Sequence, residues 1–233
     1  MSGGYDVAYL KRDQCGSDIV TFRFERPDGY SFKAGQWFTL RLETSQGEES
    51  HTFSHSTAPS DDCLELTTRM SPSAYKQALY ALEPGTVVHI NGPGGRLSVA
   101  EDVTRVAFLA GGVGITPIRS ILRDAVARGR HFDDALLLYG DRDASCVPFL
   151  AEFEAMSDIG VRVVVVYEHP TPEWPGESGF ITADLVRRHL DASDGRQIFV
   201  TGPPVMVSAI ENVLDQLEVD ASRRHIERFT SPA

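Results

Sequence analysis

The chain is short of several things that whole classes of protein require. Only three cysteines occur in 233 residues, Cys15, Cys63 and Cys146, far apart and with no CxxC among them. That spacing leaves no disulfide framework, zinc knuckle or four-thiolate iron–sulfur cluster, and makes buried free thiols the expectation. Long apolar runs are missing too: the longest, such as VVVVY, span five residues, far below the roughly 18 a membrane helix needs. Positive charge is scarce. A formal net charge of -11 provides no electrostatic footprint for a phosphate backbone or an anionic lipid surface, so neither nucleic acid nor membrane insertion is expected. The first residues, MSGGYDVAYL, have neither a basic start nor an apolar run of signal-peptide length, and the expected location is cytoplasmic.

What is present has the makeup of a soluble globular protein, 42% hydrophobic and 24% charged, long enough for two modest cores. Up to about residue 100 the chain reads as short alternating segments: YDVAYLKR, DIVTFRFERPDG, GQWFTLRLE, SHTFSHS, CLELTTRM and GTVVHINGPGG. Their β-branched and aromatic content, period-two alternation and Gly, Pro and Asp punctuation predict the antiparallel strands of a small barrel or sandwich. One helix interrupts them, SPSAYKQALYALEPG, capped by Ser71 or Ser73, with Ala78, Leu79 and Leu82 as its apolar stripe and Glu83-Pro84-Gly85 as its stop. From about residue 104 buried strands alternate with helices: RVAFLAGG, PIRSILRDAVARG, ALLLYG, VPFLAEFEAM, VRVVVVYE, ITADLVRRHL, QIFVTG and PVMVSAIENVLDQL. That pattern predicts a parallel sheet covered on both faces. RRHIERF is a candidate last strand, and the Pro- and Gly-rich HPTPEWPGESG reads as a loop. The expected division is a barrel domain over 1–102 and an α/β domain over 103–233.

The strongest local signal is VAFLAGGVGITPIRSIL, in which a buried strand runs into Gly111-Gly112-Val113-Gly114 and a helix starts near Thr116-Pro117. Such a turn places backbone N–H groups and the positive end of the helix around a phosphate, with nothing beyond Cα to block it. It is not the GxGxxG fingerprint, because Pro117 stands where the third glycine would be; a turn that merely connects strand to helix is the alternative. Thr201-Gly202-Pro203-Pro204 ends the strand QIFV, and YGDRD, with Gly140 and Arg142, ends another. Ligands of open α/β sheets lie outside the carboxyl ends of the strands, so three such turns at one edge favour a dinucleotide cleft. In that cleft Arg142 suits a phosphate, whereas Asp141 and Asp143 repel one. In the first half, TTRMSPSAYK ends a strand and opens a helix, where Ser73 and nearby N–H groups, with Arg69, suit a second phosphate or simply cap the helix.

HTFSHSTAPS, residues 51–60, pairs two histidines. On one face of a strand His51 and His55 would stand roughly 13 Å apart at about 3.3 Å per residue, too far to share an ion. No triad partner or G-x-S-x-G elbow supports a lone catalytic base either.

Taken together, a β-rich half followed by an α/β half carrying GGVGITP and TGPPVM resembles the ferredoxin–NADP⁺ reductase family of flavoproteins, over almost the whole chain. In that family a barrel strand carries Arg-x-Tyr-Ser/Thr, whose arginine binds the flavin pyrophosphate, whose aromatic ring packs on the flavin and whose hydroxyl reaches flavin N5. Here the resemblance lands on His51-Thr52-Phe53-Ser54. His51 replaces the arginine, making that charge lost or pH-dependent, and Phe53 keeps the stacking face without a hydroxyl. The resemblance further implies Arg69, Met70 and Ser73 as flavin ligands, with Thr116 close to the ring. It gives Gly111, Gly112, Gly114, Ile115 and Pro117 to the nucleotide pyrophosphate turn, and Gly140, Arg142, Gly202, Pro203 and Met206 to the same nucleotide. Thr201 stands where the family has a nicotinamide-side cysteine. Glu227 would polarise the site around nicotinamide and N5, and Phe229 would shield the other flavin face.

The implied activity is FAD-dependent oxidation of NADPH or NADH, with Ser54, Glu227 and Thr201 as the catalytic group. Electrons would pass to a separate protein, such as a ferredoxin-like protein or an oxygenase component, or to a small molecule. An acidic ferredoxin would be repelled unless Arg187, Arg188, Arg223 and Arg224 form a basic patch. Two other readings stay open: an electron-transfer subunit of a larger complex, though such subunits of dihydroorotate dehydrogenases carry a cysteine cluster absent here, and a ligand-binding scaffold on a degenerate reductase fold.

Overall fold

The structure, a computed structural model, describes residues 4–229. Six antiparallel strands form the first half: β1 (Gly4–Gln14), β2 (Ile19–Glu25), β3 (Trp37–Thr44), β4 (Gly47–Ser54), β5 (Cys63–Arg69) and β6 (Val87–Gly94), in spatial order β4-β3-β6-β1-β2-β5. Alternation drives their placement. In β3, Phe38, Leu40 and Leu42 point into the core between more exposed neighbours. The two edge strands, β4 and β5, curl towards each other, and just past β4 the Ser56 N–H donates to Glu65 O at 3.0 Å. The sheet is thus a half-barrel with a seam between β4 and β5.

Helix α1 (Ala74–Tyr80) covers this half-barrel, with Ser73 as its N-cap accepting from Lys76 N. Its buried face is Tyr75, Lys76 and Leu79; of the expected stripe of Ala78, Leu79 and Leu82, Leu79 is buried and Leu82 packs on the same core, while Tyr75 anchors the helix, its hydroxyl donating to Leu40 O at 2.7 Å.

The second half is an all-parallel sheet in the order β10-β9-β8-β7-β11-β12. Its strands are β7 (Arg105–Gly111), β8 (Asp134–Asp141), β9 (Val161–Tyr167), β10 (Glu177–Ser178), β11 (Gln197–Gly202) and β12 (Arg224–Arg228). The crossovers carry α2 (Ile115–Ala127), α3 (Leu150–Glu154), α4 (Ala183–His189) and α5 (Pro204–Gln216). Strand β7 serves two cores: Val106, Phe108 and Ala110 pack on one face and Ala107 and Leu109 on the other, as a sheet covered on both sides requires. The two-part fold expected from the sequence is therefore the fold observed, and RRHIERF supplies its last strand. The segment VPFLAEFEAM is less helical than expected: α3 has five residues and tightens into a 3₁₀ turn up to Ile159. Within the loop 169–179, Trp174 packs on Tyr167 and β10 adds a short edge strand.

The thiols depart from expectation. Cys146 is buried, but Cys15 and Cys63 are only half-buried, since Cys15 lies in the turn between β1 and β2 and Cys63 at the start of the edge strand β5.

Candidate functional site

Parallel β7, β8, β11 and β12 all end at one edge, which brings the three predicted turns together. At Gly112, φ is +53°, a value L side chains rarely adopt. A Cβ on Gly114 would lie 2.4 Å from Thr201 O and 2.7 Å from Gly202 Cα. The two glycine turns therefore pack backbone against backbone, which only glycine permits there. Met206 closes the other side of the turn, its Sδ 1.9 Å from where a Gly111 Cβ would stand. Thr116 is buried, its hydroxyl donating to Val113 O at 2.9 Å, so it braces the turn. Ile115 packs in the core and Pro117 is buried in the first turn of α2. Pro203 is the exposed residue before α5. Phe229 follows β12 and its N–H donates to Gly202 O at 2.9 Å.

The half-barrel meets this edge at the end of β4. Ser54 Oγ donates to Glu227 Oε1 at 3.2 Å, and Glu227 sits opposite Thr201 in the β11–β12 register. Burial holds the Glu227 carboxyl above the usual carboxylate range, against the opposing hydrogen bond from Ser54. Thr201 is fully buried, and its Oγ1 has no partner among the described residues, a polar atom still able to bond a ligand. Ser54, Glu227 and Thr201, separated by up to 173 positions in the chain, thus share one locus.

On β4, His51 and Phe53 share a face and Thr52 points to solvent from the other. His51 stacks on Tyr75 with ring centroids 3.7 Å apart and planes 3° from parallel, and its Nε2 lies 3.3 Å from Glu49 Oε2. Burial lowers its pKa despite Glu49, and Lys76 adds to the lowering. Burial thus favours the neutral imidazole, in line with the expected alternatives of a lost or pH-dependent charge. His55, past the end of β4, is a core residue between Phe32, Phe38 and Tyr30; burial pushes its pKa down to about 3. The two histidines thus stand in separate environments.

The chain matches the model described as oxidoreductase NAD-binding domain over residues 108–212. It is 30% identical to ferredoxin–NADP reductase B of Sorangium cellulosum (strain So ce56), over 88% of this chain and 89% of that protein. The chain belongs to the ferredoxin–NADP⁺ reductase family. It is an NAD(P)H-dependent reductase of that family. It is also 30% identical to the reductase component of propane 2-monooxygenase from Mycolicibacterium goodii, where it covers 92% of this chain but 64% of the relative's length. Among solved structures, the cytochrome P450 reductase GcoB of Amycolatopsis superposes with a TM-score of 0.86 at 25% identity, over 99% of this chain and 72% of that one. A ferredoxin NADP⁺ reductase from Neisseria gonorrhoeae with bound FAD and NADP shares the fold, with a TM-score of 0.85 at 21% identity over 97% and 98% of the two chains.

Several residues that the family resemblance gives to cofactors are engaged within the protein. Arg69 donates to Asp18 at 2.6 and 2.8 Å and to Asp141 at 3.1 Å. Arg142 donates to the same Asp18 at 2.8 Å and to Cys146 Sγ at 3.2 Å. The Arg69 guanidinium sits beside the Gly112 turn, and both groups are already matched by carboxylates. Ser73 is spent on the helix cap, Met70 packs against the barrel core, and Gly140 is half-buried beneath Ile181. The arginines expected to form a basic patch have local partners: Arg187 pairs with Asp184, Arg188 with Glu177 and Arg224 with Asp215, while Arg223 donates to Ala192 O. Acidic residues outnumber basic ones, so surface arginines find partners locally.

Sequence reasoning passed over Lys76. It is 9% exposed, its ammonium donates to Thr68 Oγ1 at 2.5 Å and lies 4.7 Å from the Phe53 ring centroid. The signal was legible: Tyr75, Leu79 and Leu82 are spaced as one helical stripe, and Lys76 lies three residues before Leu79 on that stripe.

Proposed function

We propose that the protein is an FAD-dependent NAD(P)H oxidoreductase that hands electrons to a separate acceptor. Residues 1–102 would hold the flavin and 103–233 the nucleotide. The observation that carries this reading is the Ser54–Glu227 hydrogen bond, which joins the end of the flavin-side strand to the nucleotide edge beside the unpartnered Thr201 hydroxyl. The glycine turns fit a dinucleotide: backbone packed this closely leaves N–H groups and the start of α2, a 13-residue helix, facing the cleft.

When bound, the two cofactors supply the redox chemistry, hydride passing from nicotinamide C4 to flavin N5. The protein's share is placement and polarity. The Ser54 hydroxyl would bond the flavin's reacting edge, and the buried Glu227 carboxyl would orient that hydroxyl. The Thr201 hydroxyl would serve the nicotinamide, and the Gly111–Gly114 and Gly202 turns would hold the pyrophosphate, so that both rings would be kept in one geometry. Phe53 offers a ring face to the flavin and Phe229 stands at the end of β12.

The ion-paired state of Arg187, Arg188 and Arg224 weighs against an acidic ferredoxin docking there. An oxygenase-type component, a small-molecule acceptor and a role as the electron-transfer part of a larger complex are all compatible with the same site. A cytoplasmic location accords with the described residues, none of whose helices is long and apolar enough to cross a membrane. Purified protein should be yellow, bleach anaerobically with NADH or NADPH, and turn over with ferricyanide. A colourless protein that takes up no FAD would instead indicate a binding scaffold.

A further inference from the structure

Buried cations elsewhere in this protein are matched by carboxylates. Arg119 is held by Glu65 and Glu152, and Arg196 by Asp134 and Asp194. Lys76 is the exception. It is as buried as Arg119, yet among the described residues its ammonium meets only the Thr68 hydroxyl and the face of Phe53, leaving two of its three N–H donors without a bond. The titratable groups facing it are His51 on β4, with Glu49 behind that ring, and Tyr75 on its own helix; β5 presents Thr68. None is a carboxylate in contact with the ammonium. An ammonium taken out of water without a counter-charge is costly to the fold, and desolvation lowers its pKa to about 8.

The location gives that cost a purpose. Lys76 reaches from α1 across the open seam between β4 and β5, beside His51, where the family's pyrophosphate-binding arginine has been replaced by a neutral imidazole. Resting on the flavoprotein reading above, we propose that Lys76 is the pyrophosphate-binding cation of this protein, supplying from helix α1 the charge that strand β4 has lost. In that arrangement His51 is a packing residue that stacks on Tyr75 and leaves the anion to Lys76.

The test is FAD binding to the apoprotein, read by quenching of flavin fluorescence, with riboflavin as the phosphate-free probe. Lys76→Met should weaken FAD on the order of thirtyfold, the loss expected when one partner of a desolvated charge pair is truncated. It should leave riboflavin affinity unchanged, and Lys76→Arg should restore most of the FAD affinity. The apoprotein carrying Lys76→Met should melt no lower than the wild type, because it no longer buries an unmatched charge; a merely structural lysine would lower the melting temperature. For wild-type protein, FAD affinity should be level up to about pH 7 and fall towards pH 9 as Lys76 loses its proton, while Lys76→Met is flat across that range. Equal FAD affinity in wild type and Lys76→Met, or equal loss of FAD and riboflavin, overturns the assignment to Lys76 while leaving the flavoprotein reading standing. A wild-type apoprotein that takes up no FAD removes the flavoprotein reading itself, and this assignment with it.

Discussion

The two halves of the molecule meet in two very different ways. Along α2 the contact is charged and buried. Arg119 donates to Ser56 O at 3.0 Å, to Glu65 at 2.7 Å and to Glu152 at 2.8 Å, Ser120 donates to Thr57 O at 2.6 Å, and Arg123 bridges Asp61 and Glu152. At the strand ends, the only hydrogen bond among the described residues that ties β11, β12 or α5 to the barrel is Ser54 to Glu227. The α2 side is a fixed joint, and the β8 turn is also tied to the barrel, by Arg69 to Asp141, Arg142 to Asp18 and Ser17 N–H to Ser145 O; only the β11–β12 corner of the cleft is closed by a single bond. A ring brought in by a ligand can replace one hydrogen bond at little cost, whereas displacing a buried ion network would cost far more. The division suits an enzyme that must hold two cofactor sites in register and still admit a substrate between them.

The sharpest way to break this contrast is at the fixed joint. Arg119→Ala leaves Glu65 with Arg23 alone and removes one of the two cations that hold Glu152. It should cost about 3 kcal/mol of stability, the loss expected when one partner leaves a buried ionic contact. Urea denaturation measures this, and a change below about 1 kcal/mol would mean that the joint is not what holds the halves in register.

At the cleft, the same kind of substitution should change chemistry more than stability. Glu227→Gln keeps the volume and a hydrogen bond to Ser54 but removes the charge, and should lower kcat with ferricyanide about a hundredfold if the carboxylate polarises the reacting centre. The stability effect has the opposite sign. Because burial holds the Glu227 carboxyl above its unfolded value, the folded state favours the protonated form. That contribution is fully present below the unfolded pKa and is lost as pH rises through the folded one. Denaturation profiles should therefore show wild type losing stability relative to Glu227→Gln as pH rises above the ordinary carboxylate range, about pH 4.

Much of this arrangement could be read from the chain alone, and what could not shares a cause. Period-two and strand–helix patterning placed all six strands of the half-barrel and every strand of the parallel sheet except the two-residue β10, because each rests on local burial. Ser54, Thr201 and Glu227 were grouped by family resemblance, and their shared locus follows from strands that end at one edge. The partners of the charged residues were not legible. Arg69 and Arg142 pair with acids on other elements, and of the arginines near α4 and β12, Arg187 pairs within its own helix while Arg188, Arg224 and Arg223 meet groups outside theirs. Lys76 was missed for the converse reason: its isolation appears only once the elements around it are seen to offer no carboxylate. Charge pairing is a property of tertiary neighbours, and a linear pattern does not encode it.

The matched arginines bear on nucleotide choice, the mildest of the expected effects. A 2′-phosphate on the nucleotide needs a free cation at the edge where β8 ends. That turn offers Asp141, Arg142 and Asp143, with Glu168 bonded beside it through Glu168 N–H to Asp141 O at 3.0 Å. Its one cation is held by Asp18, so a phosphate would have to displace a carboxylate while facing several others. NADH should accordingly be preferred over NADPH by about tenfold in kcat/KM. Asp18→Asn should narrow that ratio by releasing Arg142, without altering the ferricyanide rate at saturating NADH. A preference for NADPH in the wild type would mean that Arg142 exchanges Asp18 for the phosphate readily, and that the turn, unlike the α2 joint, is an ionic contact built to open.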